Sequence, residues 1–431
     1  MRIVFYCYGT RGDTQPPAVL ASGLGERGYA ARVAAPENLR SFVEGAGVEY
    51  APLFGSSQEI LESEAGRTWL ASGNVREFMK RMGEIASRIN PDVFRTAAAA
   101  AEDADVIVGG SLQHDLAFTL AEKRGVPFVD IQTIPFETTR EYPCPFVSAK
   151  RLPFGFLNRL TYALYRKLAW DVNRETLNSY RSSLGLPPLR TTVVTRAHEH
   201  GHPVLQLWSE TVLPRPRDLA PNVAVTGYVR MPPWIRSRLG EAAPPPGLVD
   251  WLAKGPAPIY LGFGSMPVLD PAALAKQALA AAGALGQRIV LSAGWTNLES
   301  VRHMAGDRVF FTGGVDHGWL LPQCAAAVHH GGAGTTAASL EAGVPTVVCS
   351  VFADQPFWGE QCSRLGVGTY LPFAKLSAET LEAALRRVLV GDIRRRARAL
   401  GERLRKEDGT ATAVQALITR IEQKGVEPRA P

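Results

Sequence analysis

The chain has 431 residues, ordinary apolar content and a net charge of +6. That is too long for one ordinary core and too apolar for disorder, and no apolar run approaches the roughly 18 residues of a membrane span. Five cysteines, Cys7, Cys144, Cys324, Cys349 and Cys362, are scattered without CxxC spacing, so they read as free or buried thiols of a reducing compartment and form no metal site. The chain opens directly on a strand-like run, MRIVFYCYGT, with no signal-peptide h-region, and the expected location is cytoplasmic.

Strands and helices alternate through the first part. Arg2–Tyr8 reads as an apolar strand, Thr14–Arg27 as a helix, Tyr29–Ala35 as a second strand, Glu37–Gly45 as a short helix and Val48–Leu53 as a third strand. A helical stretch over Val75–Ala101 leads to strand Val106–Gly110, helix Asp115–Arg124 and strand Val126–Ile131. Such alternation predicts a parallel sheet with right-handed crossovers.

The first strand–helix turn, Gly9-Thr10-Arg11-Gly12-Asp13-Thr14-Gln15-Pro16, is not GxGxxG, and strand two runs into Pro36 without the acidic residue a nicotinamide ribose requires. Its distinctive member is Asp13, a carboxylate on the ligand edge of the sheet. It either caps a helix starting at Thr14 or faces a cleft as a general base. His114-Asp115 follows strand four on the same edge, to begin a helix, to orient an acceptor or to assist Asp13.

From Thr133 to about Gly201 the alternation stops. The segments PFETTREYPCPF and LPFGFLNRLTYALYRKLAW are rich in Phe, Tyr, Leu and Pro, which suits helices packed on the domain or an insertion shaping an apolar wall. Pro203–Trp208 reads as a closing strand. Leu213–Pro221 is proline-rich and charged, as a stiff linker is. The domains are therefore expected at 1–214 and 223–406, with a linker over 215–222.

In the second part Ile259–Leu261, Arg288–Ser292 and Arg308–Thr312 read as strands and Pro271–Leu285 as an alanine-rich helix. Then comes AVHHGGAGTTAASLEAG: a buried strand over Ala325–His329, a turn with Gly331, Gly332 and Gly334, and a helix opening at Ala333–Thr336. The glycines let a ligand approach the main chain, and the helix start offers free N–H groups and its positive dipole end to a phosphate. His330, Thr335 and Thr336 add donors. Strand Val344–Ser350 is followed by Asp354-Gln355 at another helix start, on the same edge. Phosphate donors beside a carboxylate and an amide predict a nucleotide-sugar pocket. Helices Ser377–Val390, Asp392–Lys406 and Thr410–Gln423 end the chain.

Other motifs carry less. Asp103-Ala104-Asp105 spells DxD but precedes strand four, away from the ligand edge, and reads as a solvated turn. His198, His200 and His202 lack a carboxylate–cysteine constellation for a metal. The arginines of Arg386–Lys406 read as a solvated helix face, with attraction to an anionic membrane as the alternative. Without interleaved aromatics they do not suit nucleic acid.

GTRGDTQP, GFGSM at Gly262–Met266, and HHGGAGTTAASLEAGVP followed by FADQPFWGEQ resemble the family of sterol glucosyltransferases and bacterial antibiotic or glycolipid glycosyltransferases. The resemblance spans most of the chain and is weak across Thr133–His202. It implies an α/β fold of the GT-B type, two facing Rossmann-like doubly wound domains with a cleft between them. The first domain would take the acceptor, the second the nucleotide sugar, and the helix 410–423 would cross back to the first. By the same resemblance His330 contacts the α-phosphate, the amides around Gly332, Gly334 and Thr335 hold the diphosphate, and Ser265 touches phosphate. Asp354 and Gln355 bind sugar hydroxyls, and Trp295 or the backbone near Val315 lies against the base. Asp13 stands where plant-type relatives carry a catalytic His in a GHxxP motif, so this chain matches the Asp-bearing branch.

The implied activity is inverting O-glycosyl transfer from a UDP-glucose-like donor to a lipophilic hydroxyl, of a sterol, a polyketide aglycone or a glycolipid. No metal or cofactor beyond the nucleotide sugar is implied. A nucleotide-sugar epimerase or hydrolase of this fold, and a non-catalytic transferase partner, remain alternatives.

Overall fold

The computed structural model describes residues 1–56, 58–59, 90–110, 113–264, 270–294, 299–304 and 306–423. Within them lie two parallel sheets. The first has seven strands, β1 (Arg2–Tyr6), β2 (Ala30–Pro36), β3 (Glu49–Leu53), β4 (Val106–Gly109), β5 (Phe128–Gln132), β6 (Val204–Gln206) and β7 (Val223–Val225), in the order β3-β2-β1-β4-β5-β6-β7. The second has six, β8 (Ile259–Gly262), β9 (Ile289–Ser292), β10 (Val309–Thr312), β11 (Ala326–His329), β12 (Thr346–Ser350) and β13 (Gly368–Pro372), in the order β10-β9-β8-β11-β12-β13. Helices cover both faces, which is why the central strands read as continuous apolar runs. Ile3 and Phe5 point to one face of β1 and Val4 and Tyr6 to the other, and all four are fully buried. Strand order reverses between β1 and β4 and between β8 and β11, and a crevice opens at each reversal. The registers there end on Tyr6 opposite Gly109 and on Gly262 opposite His329.

Three expectations shift. Val223–Val225 pairs in parallel with Val204–Gln206, so the first sheet continues past the proline-rich stretch 215–222, and the chain leaves it only after β7. That stretch is held rather than free: Arg215 donates to the Ala220 carbonyl at 3.1 Å, and Asp218 accepts from Thr139 at 2.6 Å. Strand β13, GTYLP, was not expected, because an edge strand bounded by Gly and Pro has little apolar run. The Asp103 turn is not merely solvated: its carboxylate lies 2.7 Å from both Arg2 and Arg32.

The last helix, Gly409–Glu422, belongs to the first sheet's core. Its buried residues Ala413, Val414, Leu417, Ile418 and Ile421 pack with Ile3, Phe5, Leu20 and Leu24. A Cβ on Gly23 would stand 2.9 Å from Val414, which is how closely the helix Arg11–Gly25 meets it. Where the chain returns from the second sheet it touches the outgoing segment. A Cβ on Gly409 would lie 2.4 Å from the Tyr228 carbonyl oxygen, and Gly227 takes φ +96°, a left-handed conformation that favours glycine. Arg230 clamps this crossing through the Leu404 and Glu407 carbonyls and the Glu341 carboxylate.

Between the sheets lies a shared apolar cluster, with Tyr142, Trp208 and Tyr228 from one side and Phe357, Trp358 and Leu404 from the other. Among the described residues no helix is long and apolar enough to cross a membrane.

Candidate functional site

The first reversal is built around Asp13. The helix begins at Arg11, three residues before the expected Thr14, with Thr10 as its N-cap. Asp13 is therefore the third helical residue and closes a capping box: its Oδ2 accepts from the Thr10 amide at 2.7 Å and from the Thr10 hydroxyl at 3.1 Å. Gly9 must be glycine here, since a Cβ would stand 2.4 Å from Oδ2. Pro16 and Pro17, inside the helix, supply no amide hydrogen to the carbonyls one turn back. They help to line a pocket with Cys7, Tyr8, Ile131, Leu207 and Asp13. That pocket is mostly apolar, with the carboxylate and the side chains of Tyr8 and Thr133 as its polar lining. Burial pushes the Asp13 carboxyl above its ordinary range, against the pull of the Thr10 bonds.

One strand along the edge, His114 opens the helix His114–Arg124. Its Nδ1 lies 2.5 Å from Asp130 Oδ1, while its Nε2 is buried without a partner. Asp130 in turn accepts from Gln132 at 2.8 Å, and Gln132 also reaches Glu137. Burial would lower His114, but the Asp130 carboxylate outweighs it and holds the imidazole above its usual range. The Asp130 partner escaped the sequence reading, although a charged residue inside the apolar run PFVDIQ was a usable signal. Phe136 meets the His114 ring edge-on at 5.8 Å.

At the second reversal the helix Ala333–Ala342 starts with Gly332 as N-cap and no side-chain cap, so its first amides stay open toward the cleft. Gly331 takes φ +92°, and a Cβ there would meet Val348 at 2.4 Å. Nothing lies within 4 Å of where a Gly334 side chain would stand, which leaves room for a ligand against the backbone. His329, also missed, fixes this turn. Its Nδ1 accepts from the Gly331 amide at 3.0 Å and its Nε2 lies 3.2 Å from the Ser339 hydroxyl. His330 keeps a buried, unpartnered Nδ1, and Thr336 a buried, unpartnered hydroxyl. Burial pushes His330 down to about 4, which favours the neutral imidazole at neutral pH.

Asp354 ends the loop after β12. Its Oδ2 accepts from Trp358 Nε1 at 2.7 Å, and Trp358 packs edge-on against Trp208 of the first domain at 6.2 Å. Burial raises its carboxyl to about 7, and the negative charge of Asp13 across the cleft adds to the rise. Gln355 turns its amide oxygen onto the Val351 and Phe352 amides at 2.8 and 3.2 Å. That oxygen holds a loop in which Ala353 sits at φ +58°. Val315 precedes Asp316, which pairs with Arg236 at 2.8 Å, and Arg11 beside Asp13 pairs with Glu241 at 2.5 Å.

The fold thus brings Asp13, Asp354, His330 and the open helix start to one cleft and puts His114 on a neighbouring strand end. Ser265 and Trp295 lie outside the described residues, as does most of the expected helix 75–101, and the side chain of His198 is not described either. His202 sits between Phe118 and Phe128, at 5.5 and 5.7 Å, as a packing residue. Among the described residues no group of three His, Cys, Asp or Glu is arranged to hold a metal.

Residues 3–143 match the glycosyltransferase family 28 N-terminal domain, and residues 276–423 the erythromycin biosynthesis protein CIII-like C-terminal domain. O-mycaminosyltylonolide 6-deoxyallosyltransferase of Streptomyces fradiae is 33% identical, over 96% of both chains. A sterol 3-beta-glucosyltransferase of Arabidopsis thaliana is 33% identical over 96% of this chain and 67% of its own length. The chain spans 66% of a second Arabidopsis relative and 27% of one from Cryptococcus neoformans. In fold it is similar to the calicheamicin glycosyltransferase CalG4 (TM-score 0.70, 18% identity, 99% of both chains). It is also similar to the glycosyltransferase VinC in complex with dTDP (TM-score 0.64, 17% identity, 98% of this chain and 100% of that one).

Proposed function

We propose, from the premise that this chain belongs to the glycosyltransferase family holding the sterol 3-beta-glucosyltransferases and O-mycaminosyltylonolide 6-deoxyallosyltransferase, that it is an inverting O-glycosyltransferase. Its donor is a UDP- or dTDP-sugar and its acceptor a lipophilic alcohol such as a sterol, a polyketide aglycone or a glycolipid. The observation that carries the reading is the uncapped helix start beside a partnerless His330 nitrogen, with Asp13 and an apolar pocket across the cleft.

In this mechanism Asp13 takes the proton of the acceptor hydroxyl. The acceptor oxygen bonds to the anomeric carbon as that carbon's bond to the diphosphate oxygen breaks. The leaving electron pair goes to the diphosphate, where the open amides of Ala333–Thr335, the helix dipole and neutral His330 stabilise it. Because these groups can meet the charge themselves, no metal ion or further cofactor is required. The sugar hydroxyls fall to Asp354 with Gln355, and the nucleobase to Trp295 or the backbone near Val315. The first sheet with the last helix forms the acceptor body and the second sheet the donor body.

Thermal-shift measurements with UDP-, dTDP- and GDP-sugars, then mass spectrometry across an acceptor panel, test the proposal. Stabilisation by none of them would sink it. An epimerase or hydrolase would consume donor without acceptor. The pocket beside Asp13 favours transfer, so consumption is expected only when an alcohol is supplied. A non-catalytic partner would need neither that pocket nor its carboxylate.

A further inference from the structure

The helix Gly155–Ser183 turns Asn158, Thr161, Tyr162 and Leu177 into the protein. Its outer side carries Phe156 (66% exposed), Leu160 (59%), Leu164 (47%), Leu168 (55%) and Val172 (46%), with Phe154 (60%) just before it. Single exposed apolar residues are ordinary, but this row runs along about 24 Å of one helix. Between Val147 and Arg174 stand Lys150, Arg151, Arg159, Arg166, Lys167 and Arg174 against one carboxylate, Asp171, which lies 3.1 Å from Lys167. The segment is thus strongly basic, as is Arg386–Lys406, in a chain whose net charge is +6. In 386–406 Arg386 is engaged by Glu382, Arg395 by Asp392, Arg396 by the Gly366 carbonyl and Arg405 by the Glu341 carbonyl, and in the helix segment Arg166 donates to the Phe136 carbonyl at 3.4 Å.

Spacing tells what the row fits. A coiled-coil partner wants an average step of about 3.5 residues, which keeps a narrow seam. Here the step is four. Each step turns the row by about 40°, spreading it over roughly 160° of the helix, as an in-plane helix at a fluid interface tolerates.

We propose that this face of the helix Gly155–Ser183 lies on an anionic lipid bilayer, with the apolar row at the acyl boundary and Lys150, Arg151 and Arg159 among the headgroups. The inner side connects to the cleft. Tyr165 stacks with Phe136 and Phe146, at 5.8 and 5.1 Å, and Phe136 meets His114. A lipophilic acceptor leaving the bilayer would then enter beside that aromatic wall. The membrane contact rests on the helix's outer side alone and stands whether or not the transfer reading does.

Co-sedimentation of the full chain with vesicles tests it, using phosphatidylcholine alone against equal parts phosphatidylcholine and phosphatidylglycerol. Wild type is expected to bind the anionic vesicles, and less at high salt. Phe156→Ser with Leu160→Ser should weaken binding about tenfold or more at an unchanged melting temperature. Lys150→Glu with Arg159→Glu should abolish the preference for the anionic vesicles. Wild type staying in the supernatant at low salt would overturn the proposal, as would a serine variant that binds undiminished. A dimer that the serine variant converts to monomer in sedimentation velocity would give the face to a second copy instead.

Discussion

The two reversal points share a topology and differ in chemistry. Both put a strand end, a glycine turn and a helix start on the ligand edge. After β1, the helix start is closed by its own residues, with Thr10 capping and Asp13 returning to the Thr10 amide. After β11, the helix start has no cap, and two polar side-chain atoms beside it are buried without partners. A helix start filled by a carboxylate repels a second anion, and an empty one attracts it. The difference teaches how one architecture, used twice, yields two chemically opposite walls: a carboxylate held at one helix start and an open helix start at the other.

The largest expected effect breaks the first half of that contrast. Asp13→Asn keeps the shape of the box but cannot take a proton, so turnover should fall about 10²–10⁴-fold, with donor affinity unchanged by calorimetry. A rate near wild type would leave Asp13 as a cap alone and turn attention to His114. His330→Ala breaks the second half. Losing one hydrogen bond to a charged group should weaken nucleoside-diphosphate binding by about 1.5–3 kcal/mol, and unchanged diphosphate affinity would remove His330 from the site.

Asp354 couples the two walls, and pH reads the coupling. Its carboxyl rises from an ordinary 3.8 to about 7 in the folded protein. The folded state therefore favours the protonated form, and the stability that form confers is complete below the ordinary value and lost as pH rises through about 7. Asp354→Asn should shrink the drop in melting temperature between pH 5 and pH 8 by about 2 °C or more, and an identical pH profile in the variant would refute the shift. Smaller still, Thr10→Ala should cost about 1 kcal/mol by denaturant titration through loss of the cap. EDTA should leave turnover unchanged. Its loss in chelator, with recovery on adding manganese or magnesium, would overturn the reading of the anion cradle as sufficient.

Much of the fold was legible because strands buried on both faces write themselves as apolar runs, and glycine turns mark where they end. What stayed hidden depends on distance in space. Val223–Val225 is three residues long and looks like the start of something new until Val204–Gln206 lies beside it. His330 and Asp13 stand at turns, where sequence exposes them. His329, fully buried, and Trp358, which bonds Asp354 and packs on Trp208, act through neighbours that no local pattern announces. The Gln355 oxygen is another case: it also accepts from the loop amides, a structural task that a polar group at a helix start does not announce.

The crossing at Gly227 and Gly409 makes the second sheet a nested insertion, entered and left at a single point. A ribosome therefore begins the first-sheet body first and completes it last. Until residues 409–422 emerge, Ile3, Phe5, Leu20 and Leu24 lack the helix that covers them, while the inserted body between them already has all its strands. Truncation before Gly409 should accordingly injure the half of the protein farthest from it in sequence. The nearness of Tyr228 to Gly409 also means that a short splice joining them could release the first body as a separate unit.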